Sequence, residues 1–451
     1  MARLIESLAT TDQLAELFSD QSLLQALLDF EIALARAQAR VGIIPLAAAE
    51  SIAAAAKAEA FDIAALSHDM LRAGTAGVPL AKALTNHVRA KDEDAARYVH
   101  WGATSQDVAD TALVLLLKRA QNILLGDISK LEQSLARLSD EHSKTVMLGR
   151  TLMQGAPPIT FGLKAAGWLG AVHRCRERLD SSFAAVSIVQ FGGASGTLAA
   201  LGEQGTAVAV ELAKELGLGC PEAPWHTHRD RLANVICDCG VLTGSLGKIA
   251  RDIGLLMQNE VAEVAEPGGQ GRGGSSTMPH KRNPIGSALT LAAAQRVPGE
   301  VAAFLSAMVQ EHERGVGGWQ TEWPIVASVI QSTGLAAASM AEVIDGLSVD
   351  AARMRANIDT THGLVFAERA MMLLARKLGR DAAHTIVEEA TRKSAADGRN
   401  LSEILAEMHE VTAHVDVSAL RQLQVPEQYL GSAEIFRKAL VSSARNSKKE
   451  R

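Results

Sequence analysis

Residues 107–138 read DVADTALVLLLKRAQNILLGDISKLEQSLARL, and Leu113, Leu117, Ala120, Leu124, Ile128, Leu131, Leu135 and Leu138 recur in it at spacings of three and four. That spacing marks one face of a single helix, and no proline interrupts it. At ~1.5 Å per residue, a helix of more than ~30 residues reaches roughly 50 Å. Patterns this long point to a coiled coil, a membrane span or a helical repeat. Lys118, Arg119, Lys130 and Glu132 exclude the membrane for this one.

A second long segment is expected from Asp230 to Glu266, with Leu242, Leu246, Ile249, Ile253, Met257, Val261 and Val264 on one face. Lys248, Arg251 and Asp252 keep it out of a bilayer. Two further long helices fit between 160 and 190 and between 320 and 350. Earlier in the chain, Leu23, Leu27, Phe30, Leu34, Ala37 and Val41 predict a helix over 20–41. Ser19 or Asp20 starts it, and Gly42 and Pro45 end it. Few segments alternate with strand period. The fold class is therefore all-α, an extended bundle of long helices. Its parts are an N-terminal helical domain at 1–104, a central bundle at 105–358 and a C-terminal helical cap at 359–451.

The bulk numbers agree. Hydrophobic residues make up 47% of the 451 and aromatics 4%, which suits close aliphatic helix packing. A net charge of −6 without a basic block argues against nucleic acid or an anionic membrane as partners. The start, MARLIESLAT, lacks a basic and apolar leader, and Cys175, Cys220, Cys237 and Cys239 make no disulfide framework. A cytoplasmic location is expected.

The candidate chemistry lies in loops. Residues 271–284, GRGGSSTMPHKRNP, interrupt the helical text, and no acid occurs between Glu266 and Glu300. Glycines allow movement, two prolines stiffen the second half, and Arg272, His280, Lys281 and Arg282 gather positive charge. A mobile lid over an anionic ligand accounts for this composition. Gly269, Gly271 and Gly274 also spell G-x-G-x-x-G, but a dinucleotide site needs a strand before them and a long helix stands there instead. His226, His228, Cys237 and Cys239 lack zinc-ligand spacing, so no metal is expected. HWGATSQD, residues 100–107, precedes the long helix. Its hydroxyls are read equally well as a helix cap or as an anion site at a helix start. QEHERG, residues 310–315, reads by itself as a solvated helix end.

GSSTMPHKRNP closely resembles the signature of the fumarase/aspartase superfamily, G-S-S-x-M-P-x-K-x-N. HWGATSQD is similar to that superfamily's first conserved region and GRTLMQ (149–154) to its second, in the expected order. The resemblance spans essentially the whole chain. It implies homotetramers with a shared central bundle, active sites built from three subunits, and cofactor-free addition or elimination beside a carboxylate. It implies Ser275 as the catalytic base, Lys281 and Asn283 as holders of a substrate carboxylate, and Thr104 and Ser105 as substrate-binding hydroxyls. Ser276, Thr151 and Gln154 fall within the same matched regions and complete the expected binding set. His100 is a candidate to orient substrate or donate a proton, with a capping or core role as the alternative.

One departure narrows the reaction. Many relatives read G-R-T-H-x-Q in the second region, and that histidine serves the leaving group as acid or base; here the position is Leu152. A departing amine or hydroxide benefits from protonation. A carboxylate, with a pKa near ~4, is already stable as the anion. The expected reaction therefore adds or expels a carboxylate, as in internal lactonisation of an unsaturated tricarboxylate. Three carboxylates call for further cations, and Arg150, Arg229 and Arg314 are the candidates. The rivals are an adenylosuccinate-type lyase, in which another histidine such as His100 or His226 substitutes, and a non-catalytic crystallin-like protein.

Overall fold

The computed structural model describes residues 4–268, 273–274, 278 and 281–446. Helix α1, Asp20–Val41, begins where the Ser19 hydroxyl accepts the Ser22 N–H and ends at Gly42 in the left-handed conformation. Both caps are those the sequence indicates. Helix α2 is Gly77–Arg89. Helix α3, Ser105–Glu141, runs for 37 residues, and all eight positions of its apolar stripe are buried. Each fully buried leucine contributes roughly 1.5–3 kcal/mol, so the stripe alone commits this segment to an interior helix.

Strands β1, Val146–Thr151, and β2, Gln154–Thr160, form an antiparallel hairpin, so GRTLMQ lies on strand and turn. Helix α4 is Phe161–Val186 and α5 is Asp230–Leu256. The second long helix thus stops ten residues short of the expected Glu266. The chain turns at Ala262 (φ 52°), buries Glu263, and pairs β3, Val264–Ala265, with β4, Ser348–Val349. Val261 and Val264 kept helical spacing by coincidence, because the pull on Glu263 comes from residues distant in sequence. Helices α6, Ile285–Ala307, and α7, Gly318–Asp345, complete the long set.

By length and composition, α5 and α7 would suffice to cross a membrane, but more than half of each apolar window is buried inside the protein. They are core helices. Shorter helices follow Asp359, with a core of Leu374, Ala390, Leu401, Leu405 and Leu420.

The chain divides into two compact units, each drawn from three segments. Unit 1 comprises 1–128, 174–247 and 289–339, and its core includes Leu28, Phe30, Leu34, Ile52, Leu84 and Val108. Unit 2 comprises 129–173, 248–288 and 340–451. In it the hairpin packs Val146 and Leu148 against Ile358 and Phe366.

Candidate active site

The candidate residues fall into two groups, one in each unit. In unit 1 the segment 100–107 turns through the left-handed region at His100 (φ 58°) and Gly102 (φ 74°) before α3 begins. The first turn of α3 is capped by a carboxylate. Thr104 donates its N–H to Asp107 Oδ2 at 3.0 Å, the reverse half of a capping box. Asp107 also accepts from the N–H groups of Gly192 and Gly193 at 3.0 and 2.9 Å and from His226 Nε2 at 2.7 Å. A side chain at 192 would press its Cβ to 2.7 Å from the His226 ring, which accounts for the glycine there. With Asp107 as the cap, the hydroxyls of Thr104 and Ser105 have no hydrogen-bond partner among the described residues. The capping of this stretch thus falls to the Asp107 carboxylate rather than to the hydroxyls of Thr104 and Ser105.

The candidate cations of unit 1 differ sharply. Arg229 is almost wholly buried (1% exposed). Its Nη1 and Nη2 donate to Asp110 at 2.7 and 3.0 Å, and its Nε and Nη2 donate to Glu322 at 3.0 and 2.5 Å. Trp319 Nε1 and Gln310 Nε2 satisfy the same two carboxylates. No guanidinium nitrogen is free, so the expected substrate contact at Arg229 is corrected. It ties α3 and α5 to α7 within unit 1. Arg314, half-buried, donates Nη2 to the Gly193 carbonyl at 3.0 Å and has no carboxylate partner among the described residues. Its buried Nε is without a partner there. Arg314 thereby contacts the backbone that holds Asp107, so this residue of QEHERG packs against the fold.

In unit 2, Arg150 forms a two-pronged pair with Glu263, at 3.0 and 2.7 Å, and Asn357 adds a donor to the same carboxylate at 2.8 Å. The charge of Arg150 is spent on this buried acid, so Arg150 anchors the hairpin. Burial lowers the pKa of neighbouring Lys164, with nearby Asp252 opposing the shift. Thr151 and Gln154 face each other across the hairpin tip with exposed side chains. Between them Leu152 and Met153 make a two-residue turn with φ 49° and 66°, and they are 97% and 71% exposed. A turn with both φ positive favours Asn-Gly, and a bulky residue there is strained. Leu152→Asn with Met153→Gly is expected to stabilise the hairpin by about 1 kcal/mol, slowing amide exchange across β1 and β2 about fivefold. Unchanged exchange would show the turn to be unstrained.

The signature loop of unit 2 is clipped at its base. Glu266, buried, accepts from the N–H groups of Gly286 and Ser287 at 3.0 and 2.9 Å and from the Ser287 hydroxyl at 2.6 Å, capping α6. Further in, the Asn283 N–H donates to the Gly273 carbonyl at 2.9 Å, and a Cβ at Gly273 (φ 66°) would lie 2.9 Å from the Asn283 carbonyl. The Lys281 N–H donates to the Met278 carbonyl, and the Lys281 side chain is exposed. Ser275 and Ser276 lie outside the described residues.

Residues 6–299 match the family model described as lyase, and 363–439 match the adenylosuccinate lyase C-terminus. The chain belongs to the fumarase/aspartase superfamily of lyases. Within it, the chain is 48% identical to a 3-carboxy-cis,cis-muconate cycloisomerase of Bradyrhizobium diazoefficiens, over 94% of each. It is 49% identical to the Pseudomonas aeruginosa enzyme of the same name, over 93% of this chain and 91% of that one. The crystal structure of the Pseudomonas putida 3-carboxy-cis,cis-muconate lactonizing enzyme superposes with a TM-score of 0.93 at 43% identity, covering 99% of both chains. The all-α superfamily fold expected from the long helices is thus the fold observed.

Sequence reasoning missed the acids that decide which cations are free: Glu31, Asp110, Glu263 and Glu322. Glu31 had a signal, since it lies one residue from Phe30 and four from Leu27 on the buried face of α1. A charged residue on an apolar stripe implies a partner.

Proposed function

We propose that this chain is a cycloisomerase that closes 3-carboxy-cis,cis-muconate to 4-carboxymuconolactone without a cofactor, in the protocatechuate branch of aromatic catabolism. The likeness to the muconate enzymes over nearly the whole chain supports this reading, and Leu152 is the observation that carries it. An aliphatic side chain at the hairpin tip cannot hand a proton to a leaving group, and a carboxylate nucleophile or leaving group requires none.

In the forward direction one substrate carboxylate adds to a double bond conjugated with another. The electron pair moves onto that second carboxylate as an aci-carboxylate dianion, and a proton delivered to carbon ends the reaction. Lys281 and Asn283 are assigned to stabilise the developing charge. Ser275 is assigned as the proton donor, and as the base in the reverse reaction. A serine needs a dry, cationic loop for that work, which the acid-free run 267–299 offers. Thr104, Ser105 and Arg314 hold the remaining carboxylates. Assembly into a homotetramer, with three subunits contributing to each site, belongs to the same proposal.

The match of 363–439 to the adenylosuccinate lyase C-terminus favours one rival, fumarate elimination from adenylosuccinate. Ultraviolet absorbance separates them. The purified chain is expected to bleach the diene absorbance of 3-carboxymuconate and to leave adenylosuccinate unchanged. Cleavage of adenylosuccinate with no bleaching of the diene would overturn the assignment.

A further inference from the structure

Two buried residues that the proposed chemistry does not use, Asp107 and His226, join three separate segments of unit 1. Segment 100–107 is held at its start by α1, where Glu31 accepts from His100 Nδ1 and Gln38 donates to the Trp101 carbonyl, each at 2.6 Å. At its end the Asp107 side chain is wholly buried against that of His226, which is 4% exposed. Four donors converge on this one carboxylate: the N–H groups of Thr104, Gly192 and Gly193, and Nε2 of His226. Two carboxylate oxygens offer about four lone-pair sites, so the acceptor capacity of Asp107 is filled. Every site accepts, and the proton shared with His226 therefore belongs to Nε2.

What the arrangement holds is the peptide plane between Gly192 and Gly193. Its N–H goes to Asp107 at 2.9 Å and its carbonyl accepts from the Leu198 N–H at 3.0 Å, so the plane is pinned at both edges. As at 192, a side chain is excluded at 193 (φ 66°), where a Cβ would lie 3.1 Å from the Gly102 carbonyl oxygen. The next carbonyl, that of Gly193, accepts from Arg314 Nη2 at 3.0 Å. It is the sole hydrogen bond of the Arg314 side chain among the described residues. A second tether runs beside it: the hydroxyl of Thr227, next to His226, donates to the His312 carbonyl at 3.0 Å, where the chain turns with φ 44°. From one point, Asp107 thus fixes the backbone of Thr104 on one side and the acceptor that directs Arg314 on the other.

We propose that Asp107 and His226 are positioning residues for Arg314: the pair fixes the Gly192–Gly193 backbone, and that backbone aims the guanidinium at one carboxylate of the substrate. This rests on the reading of Arg314 as a holder of a substrate carboxylate. His226 acts through Arg314 and touches no substrate. Its loss therefore weakens binding and raises KM, while the proton transfer assigned to Ser275 keeps most of its rate.

The test is a double-mutant cycle on the full-length enzyme, combining His226→Leu with Arg314→Ala and reading kcat and KM for 3-carboxymuconate. His226→Leu alone is expected to raise KM about tenfold, the usual effect of losing one charge-assisted hydrogen bond, with kcat within about threefold of the parent. In the Arg314→Ala background the same change is expected to raise KM less than about twofold, because the group it positions is gone. His226→Gln, whose amide nitrogen replaces Nε2 as donor, is expected to restore most of the parental KM. A merely structural histidine would lower stability in both backgrounds without this coupling. Effects on KM that multiply in the double variant, or a glutamine variant no better than leucine, overturn the proposal. Should His226→Leu not fold, His226→Asn, polar but too short to reach Asp107, takes its place in the cycle. Calorimetric binding of propane-1,2,3-tricarboxylate as probe, run through the same cycle, separates this pair from the proposed reaction. Coupled losses of probe affinity in a chain inert to 3-carboxymuconate would sink the reaction and keep the pair. Normal turnover with independent effects would sink the pair alone.

Discussion

Ser275→Ala is expected to lower kcat for 3-carboxymuconate by about 10²- to 10⁴-fold, the range typical of removing a general acid or base. Protonation at carbon ends the forward reaction, and without it the aci-carboxylate reverts by expelling the carboxylate that has just added. On the proposed assignment, alanine removes the hydroxyl that carries the proton and leaves the loop's glycines, prolines and charge in place. KM should change little, because Lys281 and Asn283, to which the proposal assigns the carboxylate, are unaltered. The clips at the base of the loop, Glu266 on Gly286 and Ser287 and Gly273 on Asn283, do not involve position 275, so thermal stability should match the parent. Near-normal turnover in a stable variant would remove Ser275 from the mechanism and leave the proton donor to another group.

The second large effect is on stability. Arg229→Ala is expected to cost about 3–5 kcal/mol, the usual consequence of stranding buried carboxylates. Asp110 and Glu322 would each lose their charged partner, and both have fully buried side chains. Their other donors, Trp319, Gln106 and Gln190 on Asp110 and Gln310 on Glu322, are neutral. Burial already raises the pKa of Glu322 above its ordinary 4.5, against the pull of Arg229. Without the arginine that upward shift grows, and the folded variant takes up a proton there. A group whose folded pKa is raised favours the folded state below its unfolded pKa, and that advantage fades as pH rises through the folded value. The variant should therefore be least unstable near pH 4 to 5 and lose ground towards neutrality, unlike the parent. Denaturant midpoints across that range measure it. A variant of parental stability with a raised KM would instead return Arg229 to the substrate.

These two variants mark the line between what was legible in the chain and what was not. The stripe of α3 was readable because its signal is local: spacings of three and four define a face, and a face that apolar must be covered. Every one of its eight positions is buried. The caps of α1 were readable for the same reason, since Ser19 and Gly42 act on backbone groups within a few residues. The segments 271–284, 100–107 and 149–154 stood out through their likeness to the superfamily's signature and conserved regions, and 271–284 also through its own glycines, prolines and cationic residues.

Where reading failed, the deciding partner lay far along the chain. The helix over 230–266 ends early because Glu263 meets Arg150 and Asn357, 113 and 94 residues away. Arg229 looked like Arg314 in sequence, yet one is locked between two acids and the other keeps its charge. No spacing rule separates them, because Asp110 and Glu322 are 119 and 93 residues distant.

Helical periods, end caps and the chemical types gathered in the loops were thus set by the amino-acid order alone, since they depend on neighbours within a turn or two. Which cations stay free for a ligand was decided only by the tertiary structure. A charge is available or consumed according to the acid that folding brings beside it, and that pairing is a property of three dimensions.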